Sequence, residues 1–428
     1  MVLPILLALA IGAAGPCAEQ ARRPQAGPER KQGAAAAVEQ ETDEAANLLA
    51  TGRPEEALAH ARRAAQIDPG NPLADLLIGY GLLATEKPEE AIAAFQRVLA
   101  IHPESVEARG GVAMSYGVMG DPRAEKEFAA VLAAVPRDRR YHRQFAEYLW
   151  REGETGRGNR EMERAIHLGP SDPILRLDYG KQLHEQGRFL DAARQLERAR
   201  DAGAQDPSLL YLLGSAELEN AHFPQAERWL SEAIASAPSR TDARQLLGLL
   251  FLLQGRADDA RRQLSKAAET DPDSAAIQLD LGRAAEAQGD LPAAEAAYRS
   301  ALTKETQLFR VHYLLGALLS RQRRLDEARQ ELALYDKAYR EDQARLQREG
   351  SLHAELNLGR AELHKGRLAE ALSQFERHPS NVEALRGAAA ALSRQGRHVE
   401  AAAKLERALL LAPDDRRLRY EIGRERTP

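Results

Sequence analysis

The chain has 428 residues, 29% of them charged, and a formal net charge of −5. That balance suits a water-exposed chain and argues against non-specific nucleic-acid binding, which needs a strong basic field. A single cysteine excludes any disulfide within the chain and any zinc site built from cysteines.

Val2–Ala14 is apolar and uncharged, and small residues and then Arg22 and Arg23 follow it. Its length matches the apolar core of a secretory signal and falls short of a membrane span. Residues 1–18 are therefore expected to act as a signal-like segment, with Gly12-x-Ala14 as a cleavage site. The chain is then exported, to a periplasm or an envelope. An uncleaved short anchor and a lipid anchor at Cys17 are the alternatives, although Pro16 departs from the small residue a lipidation site needs. Residues 19–37, rich in proline, glutamine, alanine and charge, are expected to be a flexible linker.

From 38 to 428 the chain repeats itself. Gly180, Gly214, Gly248, Gly282 and Gly316 are each 34 residues apart, and Ala192, Ala226, Ala260, Ala294 and Ala328 keep the same interval. The alanine row runs back through Ala124, Ala91 and Ala57 and forward through Ala371 and Ala401, with Gly158 in the slot of the fourth unit. Four residues after these positions comes a bulky side chain, such as Phe95, Leu264 or Phe375. Three further on comes a small one in most copies, such as Ala199, Ala267 or Ala301. A period of this length marks helix–turn–helix units that bury their apolar faces only against their neighbours. The glycine lets a second helix approach the first, and the small, bulky, small series lies along one face of that second helix. Gly52, Gly187, Gly255, Gly289, Gly366 and Gly396 mark the turn inside each hairpin. Pro69, Pro103, Pro136, Pro170, Pro238, Pro272 and Pro413 are expected to end second helices. The fold class is all-α, with eleven repeats.

The rhythm breaks twice. Gly316 to Gly359 is 43 residues, nine too many, and the surplus lies near 335–350, a charged stretch without proline. It reads as a prolonged second helix of repeat nine, either a tolerated insertion or a projecting arm for a partner. Ala371 to Ala401 is only 30 residues, so the second helix of repeat ten is expected to be short. Beyond Pro413, Arg416–Arg424 is expected to form a polar capping helix.

The repeated Leu-Gly pairs (Leu213-Gly214, Leu247-Gly248, Leu281-Gly282, Leu315-Gly316 and Leu358-Gly359) and the Ala91, Phe95, Pro103 series carry a resemblance to the tetratricopeptide repeat (TPR) family. The resemblance implies a right-handed superhelix of antiparallel helix pairs, without catalysis or cofactors. In that family the first helices line a concave groove that holds a partner protein. Repeat four departs from the pattern, with Ala146 and Gly158 in the two small slots, and is expected to be the least secure packing unit.

No His-Glu-x-x-His motif, nucleophile elbow or complete phosphate loop occurs, and the eleven histidines are scattered. No catalytic or metal-binding residue is expected. The family's groove positions, counted from the eighth-position glycine, fall on Arg143 and Trp150 in repeat four, Leu177 and Lys181 in repeat five, and Tyr211 and Ser215 in repeat six. They continue through Gln245 and Leu249, Leu279 and Arg283, Tyr313, and Leu356 and Arg360 in repeats seven to ten. The implied groove is apolar and aromatic in the middle with basic groups at both ends, suited to a peptide or helix with apolar anchors and some acidic residues. The alternative for each side chain is packing between neighbouring first helices. The expected function is a non-catalytic adaptor of an exported or envelope system. The alternative is a TPR subunit of a polysaccharide synthesis or export machine, which an aromatic row along the groove would favour.

Overall fold

The computed structural model describes residues 28–305, 308–413 and 415–426. The apolar segment expected at 1–18 lies outside them. The described residues form 22 helices and no strand. They fall into two compact units, one running to Ser171 and joined by 415–420, the other Asp172–Asp414 with the residues after 420.

The first unit holds α1 (Pro28–Ala50), α2 (Pro54–Ile67), α3 (Pro72–Ala84), α4 (Pro88–Ile101), α5 (Val106–Met119), α6 (Arg123–Ala134), α7 (Arg139–Arg151) and α8 (Thr155–Leu168). Helix α1 starts at Pro28, so 28–37 are helical where a flexible linker was expected. The run Ala34–Ala37 explains this, since alanine is the strongest helix former. The core of the unit is built around Phe95, whose ring lies between glycines of two successive first helices. A Cβ on Gly79 would stand 2.5 Å from that ring and one on Gly111 2.4 Å.

The second unit holds α9 (Pro173–Glu185), α10 (Phe189–Asp201), α11 (Leu209–Glu219), α12 (Phe223–Ser236), α13 (Thr241–Leu253), α14 (Ala257–Thr270), α15 (Ala275–Ala287) and α16 (Leu291–Lys304). These are followed by α17 (Phe309–Arg321), α18 (Leu325–His364), α19 (Leu368–Phe375), α20 (Val382–Arg394) and α21 (His398–Leu411). A last helix, α22 (Arg416–Arg426), follows Pro413. Its Glu421 accepts from Arg386 at 2.7 Å, and Glu425 pairs with His398 at 2.8 Å.

Local chemistry sets the helix ends. Each of the seven closing prolines stands two residues after the last residue of a second helix, as at Ile101 before Pro103 and Thr270 before Pro272. First helices are capped by Asn71, Ser105, Asp138, Asp172, Ser274 and Asn381, whose side chains accept from backbone amides of the first turn. The hairpin turns need a left-handed residue. The six turn glycines have φ between 72° and 80°. Repeats two, six and nine place Glu86, Ala221 and Arg323 there instead, at φ 59°, 58° and 62°. A side chain in that conformation costs roughly 1–2 kcal/mol, part of which glycine's extra freedom in the unfolded chain offsets. Ala221→Gly is therefore expected to stabilise the protein by up to about 1 kcal/mol, read as a raised melting temperature. A fall would show that the turn is not strained.

Helix α18 differs from the expected prolonged second helix. It runs 40 residues without interruption, about 60 Å, and includes the first helix of repeat ten. The turn between repeats nine and ten is absent. Residues 339–351 are mostly strong helix formers without proline, and Arg345 pairs with Asp342 at 2.5 Å. Gly350 is the only breaker among them, and it stays helical with open space around its Cα. Helix α19 is short as expected, with 8 residues.

Candidate functional site

In the second unit the groove positions follow one another along the first helices α9, α11, α13, α15 and α17. Polar contacts tie each helix to the next segment. Lys181 Nζ donates to Asp206 Oδ2 at 2.8 Å, and His184 Nε2 lies 2.9 Å from Ser215 Oγ. Gln245 Nε2 donates to Asp280 Oδ2 at 3.0 Å, and Arg321 Nη1 to Glu286 Oε1 at 2.6 Å. The Arg240 guanidinium stands 4.9 Å from the centre of the Tyr211 ring and pairs with Asp242 at 3.0 Å. Tyr211, Leu249 and Leu279 remain half-buried, while Tyr313 is 52% exposed.

Burial governs the titrating groups here. It pushes the Asp280 carboxyl above the usual aspartate value, against the contrary pull of Gln245 and Arg283. It pushes the His184 imidazole below the usual histidine value and the Tyr211 phenol above its own. Among the described residues no group of three His, Cys, Asp or Glu is placed to hold a metal ion. No described helix is long and apolar enough to cross a membrane.

Four sequence-expected positions do not join this row. Leu177 is buried with Leu196, Leu209 and Leu213, and Leu356 with Ala371, Phe375 and Ala388. Both pack between neighbouring helices, where a close-wound array leaves no open face. Arg143, in the first unit, is buried and donates to Glu147 at 3.1 Å. Trp150 turns to its own hairpin, its Nε1 donating to Asn159 Oδ1 at 2.9 Å. Its ring covers Gly158, where a Cβ would come within 2.5 Å of Trp150 Cδ1. Repeat four thus carries its missing side chain on the second helix rather than the first, and the ring fills the space. The basic character expected at the ends is also reduced. Lys181 pairs with Asp206, Arg283 with Asp280 at 3.4 Å, and Arg360 with Glu383 at 2.9 Å.

Sequence reasoning missed Asp206, Arg240 and Asp280. The first two lie in loops outside the counted helix positions. Asp280 stands at the sixth position, outside the groove positions counted, and an acid just before Leu281-Gly282 was the signal available.

In repeat four the buried His142–Glu161 pair links α7 to α8 at 2.8 Å. The glutamate raises the His142 pKa above the ordinary 6.5, helped by the Pro136 carbonyl and opposed by burial. Burial alone would raise Glu161, but His142 and Arg164 outweigh it and hold the carboxyl below the ordinary 4.5. The pair's contribution is therefore full between pH 4.5 and 6.5. It is lost as pH rises through the folded-state histidine value, or falls through that of Glu161. The stability gap between wild type and His142→Gln is expected to shrink from pH 6 to pH 8. A gap that stays constant in melts across that range would refute the pairing.

Tetratricopeptide repeat models match residues 143–207, 180–241, 211–275, 246–307, 279–343 and 375–416, more than half of the chain. Further repeats of this kind match 41–63, 352–377 and 73–105, and residues 344–351 of α18 fall between the matches. No curated protein matches the chain significantly. Among solved structures, the chain is similar to YrrB, a TPR protein with an unusual peptide-binding site, at 21% identity over 43% of this chain and 95% of that one, with a TM-score of 0.39. It is similar to MamA MSR-1 at 24% identity over 40% of this chain and 98% of that one (TM-score 0.36). It is similar to MamA of Desulfovibrio magneticus RS-1 at 19% over 40% and 96% (TM-score 0.38). With hairpins, capped turns and interleaved glycines repeated along its length, the chain belongs to the tetratricopeptide repeat family, a family of protein-interaction scaffolds.

Proposed function

We propose that the protein is a non-catalytic adaptor that holds a partner peptide or helix along the first helices of its second unit, in an exported or envelope-associated system. The observation that supports this is the row Tyr211, Leu249, Leu279 and Tyr313. These are partly exposed apolar or aromatic side chains on successive first helices, Tyr211, Leu279 and Tyr313 at the fifth position and Leu249 at the ninth, while Lys181, Ser215, Gln245 and Arg283 are held by polar contacts of their own. Side chains that are already held lose little entropy when a ligand arrives. The partner supplies apolar anchors spaced to meet this row. Its acidic residues contribute less than the arginines and lysines of the sequence suggest, because those cations have partners of their own.

The rings do not form a row suited to a sugar polymer. Phe309, Tyr313, Tyr335 and Tyr339 gather in repeat nine alone, with centroids 5.3 to 6.2 Å apart. The test is affinity capture from native envelope and soluble fractions, with the full chain as bait at low and high salt and mass spectrometry of what is held. A protein partner retained at high salt and enriched from the envelope fraction is expected. Capture that vanishes at high salt would show a mainly ionic surface. Finding the natural protein in the cytosol with Val2 retained would overturn the export part of the reading.

A further inference from the structure

The continuous α18 leaves uncovered two faces that the neighbouring repeats bury wholly or, at Leu281 of repeat eight, in part. The first is on repeat nine. The bulky residue of the second helix is buried as Leu196, Leu230, Leu264 and Tyr298 in the four preceding repeats, yet its equivalent Leu332 is partly exposed. The small residue three places on, Ala267 or Ala301 in repeats seven and eight, is replaced by Tyr335. The second face is on repeat ten. At the seventh position of the first helix Tyr179, Leu213, Leu247 and Leu315 are buried, whereas Leu358 is 47% exposed. At the third position Ile277 and Val311 are buried, whereas Ala354 is exposed.

These are the two sides of one missing seam. In a regular array the first helix of repeat ten would fold back onto repeat nine. Here Tyr335 and Leu358 lie on one rod, about 35 Å apart along its axis. The sizes at the seam are also exchanged in step. Ala301 and Val311 share a core cluster where repeat eight meets repeat nine. At the open seam the second-helix position is the large Tyr335, and the first-helix position is the small Ala354.

We propose that two copies of the chain exchange their C-terminal repeats. The Ala354–Leu358 face of repeat ten in one copy docks on the Leu332–Tyr335 face of repeat nine in the other, and reciprocally. A second copy covers both faces and closes with two-fold symmetry, leaving neither exposed. A helix from an unrelated protein would cover repeat nine and leave Leu358 in water. The apolar side chain Leu346, 48% exposed midway along the bare span, lies where the two α18 helices would cross.

The test uses the full chain with Cys17→Ser, which removes its only cysteine. Tyr335→Cys and Leu358→Cys are made singly, with different tags, and also together in one chain. The parent is expected to sediment at twice the chain mass. A mixture of the two single variants is expected to oxidise to a disulfide-linked pair carrying both tags, well above the same-tag product of either alone. Leu358→Arg is expected to return the chain mass with unchanged helix content, because that side chain is half exposed and outside the core. A parent of single-chain mass overturns the proposal, and so does a dimer whose mixed variants do not cross-link. Ring closure within one chain of the double variant also overturns it, since that requires α18 to break and repeat ten to dock on its own repeat nine.

Discussion

Ala260→Glu is expected to lower stability by about 4 kcal/mol or more, the largest effect of any single substitution considered. Ala260 is fully buried in α14, on the face that meets α13. The two helices approach so closely that a Cβ on Gly248 would stand 2.6 Å from Leu264 Cγ, one turn along the same face. A carboxylate there has neither room nor a partner, so overpacking and an unpaired buried charge act together. In an array held by nearest-neighbour contacts the loss begins locally and passes to adjacent repeats. Hydrogen exchange should therefore quicken first in α13 and α14, ahead of the rest of the unit. Arg256→Glu, in the neighbouring turn, is the comparison. Arg256 is less idle than its place in a turn suggests, since it pairs with Glu227 and Asp259 at 2.7 Å and covers the Phe251 ring at 4.1 Å. Its reversal sets like charges together in solvent and should cost clearly less. If the two variants melt at the same temperature, the assignment of faces is wrong.

The repeat was legible because each hairpin answers only to its neighbours. One small residue, one bulky residue and one closing proline per unit are enough to place both helices, and the helix ends before Pro103 and Pro272 follow that rule. Two features were not legible. The sequence around 339–351 marks an irregularity, but helix propensity sets no stopping point, and only the absence of proline hinted that α18 would run through Gly350. At the site, counting positions gives the direction a side chain points along its own helix. It does not give the tilt of the next helix. That tilt decides that Leu177 and Leu356 are covered while Tyr313 is not. The partners of the row, Asp206 and Arg240, belong to segments that the repeat pattern leaves unconstrained.

Replacing Tyr211 and Tyr313 together by alanine is expected to reduce partner capture by more than a hundredfold while leaving the melting temperature nearly unchanged. Each is an amphipathic ring at the fifth position of a first helix, the side-chain type that most often dominates interface energy, and losing such an anchor typically costs about 2 kcal/mol. Two such losses amount to about 4 kcal/mol if additive, close to three decades of affinity, and partial coupling brings this nearer two. The two rings differ in their surroundings, and this separates the causes. Tyr211 is half-buried under Arg240, so Tyr211→Phe keeps the stacked guanidinium and should retain most of the capture. Tyr313 is more open and touches Tyr335 at a ring separation of 5.3 Å. Its variant is therefore weighed by sedimentation as well, so that a change in self-association is not mistaken for loss of the partner. Capture that survives both alanines, with the fold intact, would move the binding surface off the first helices altogether.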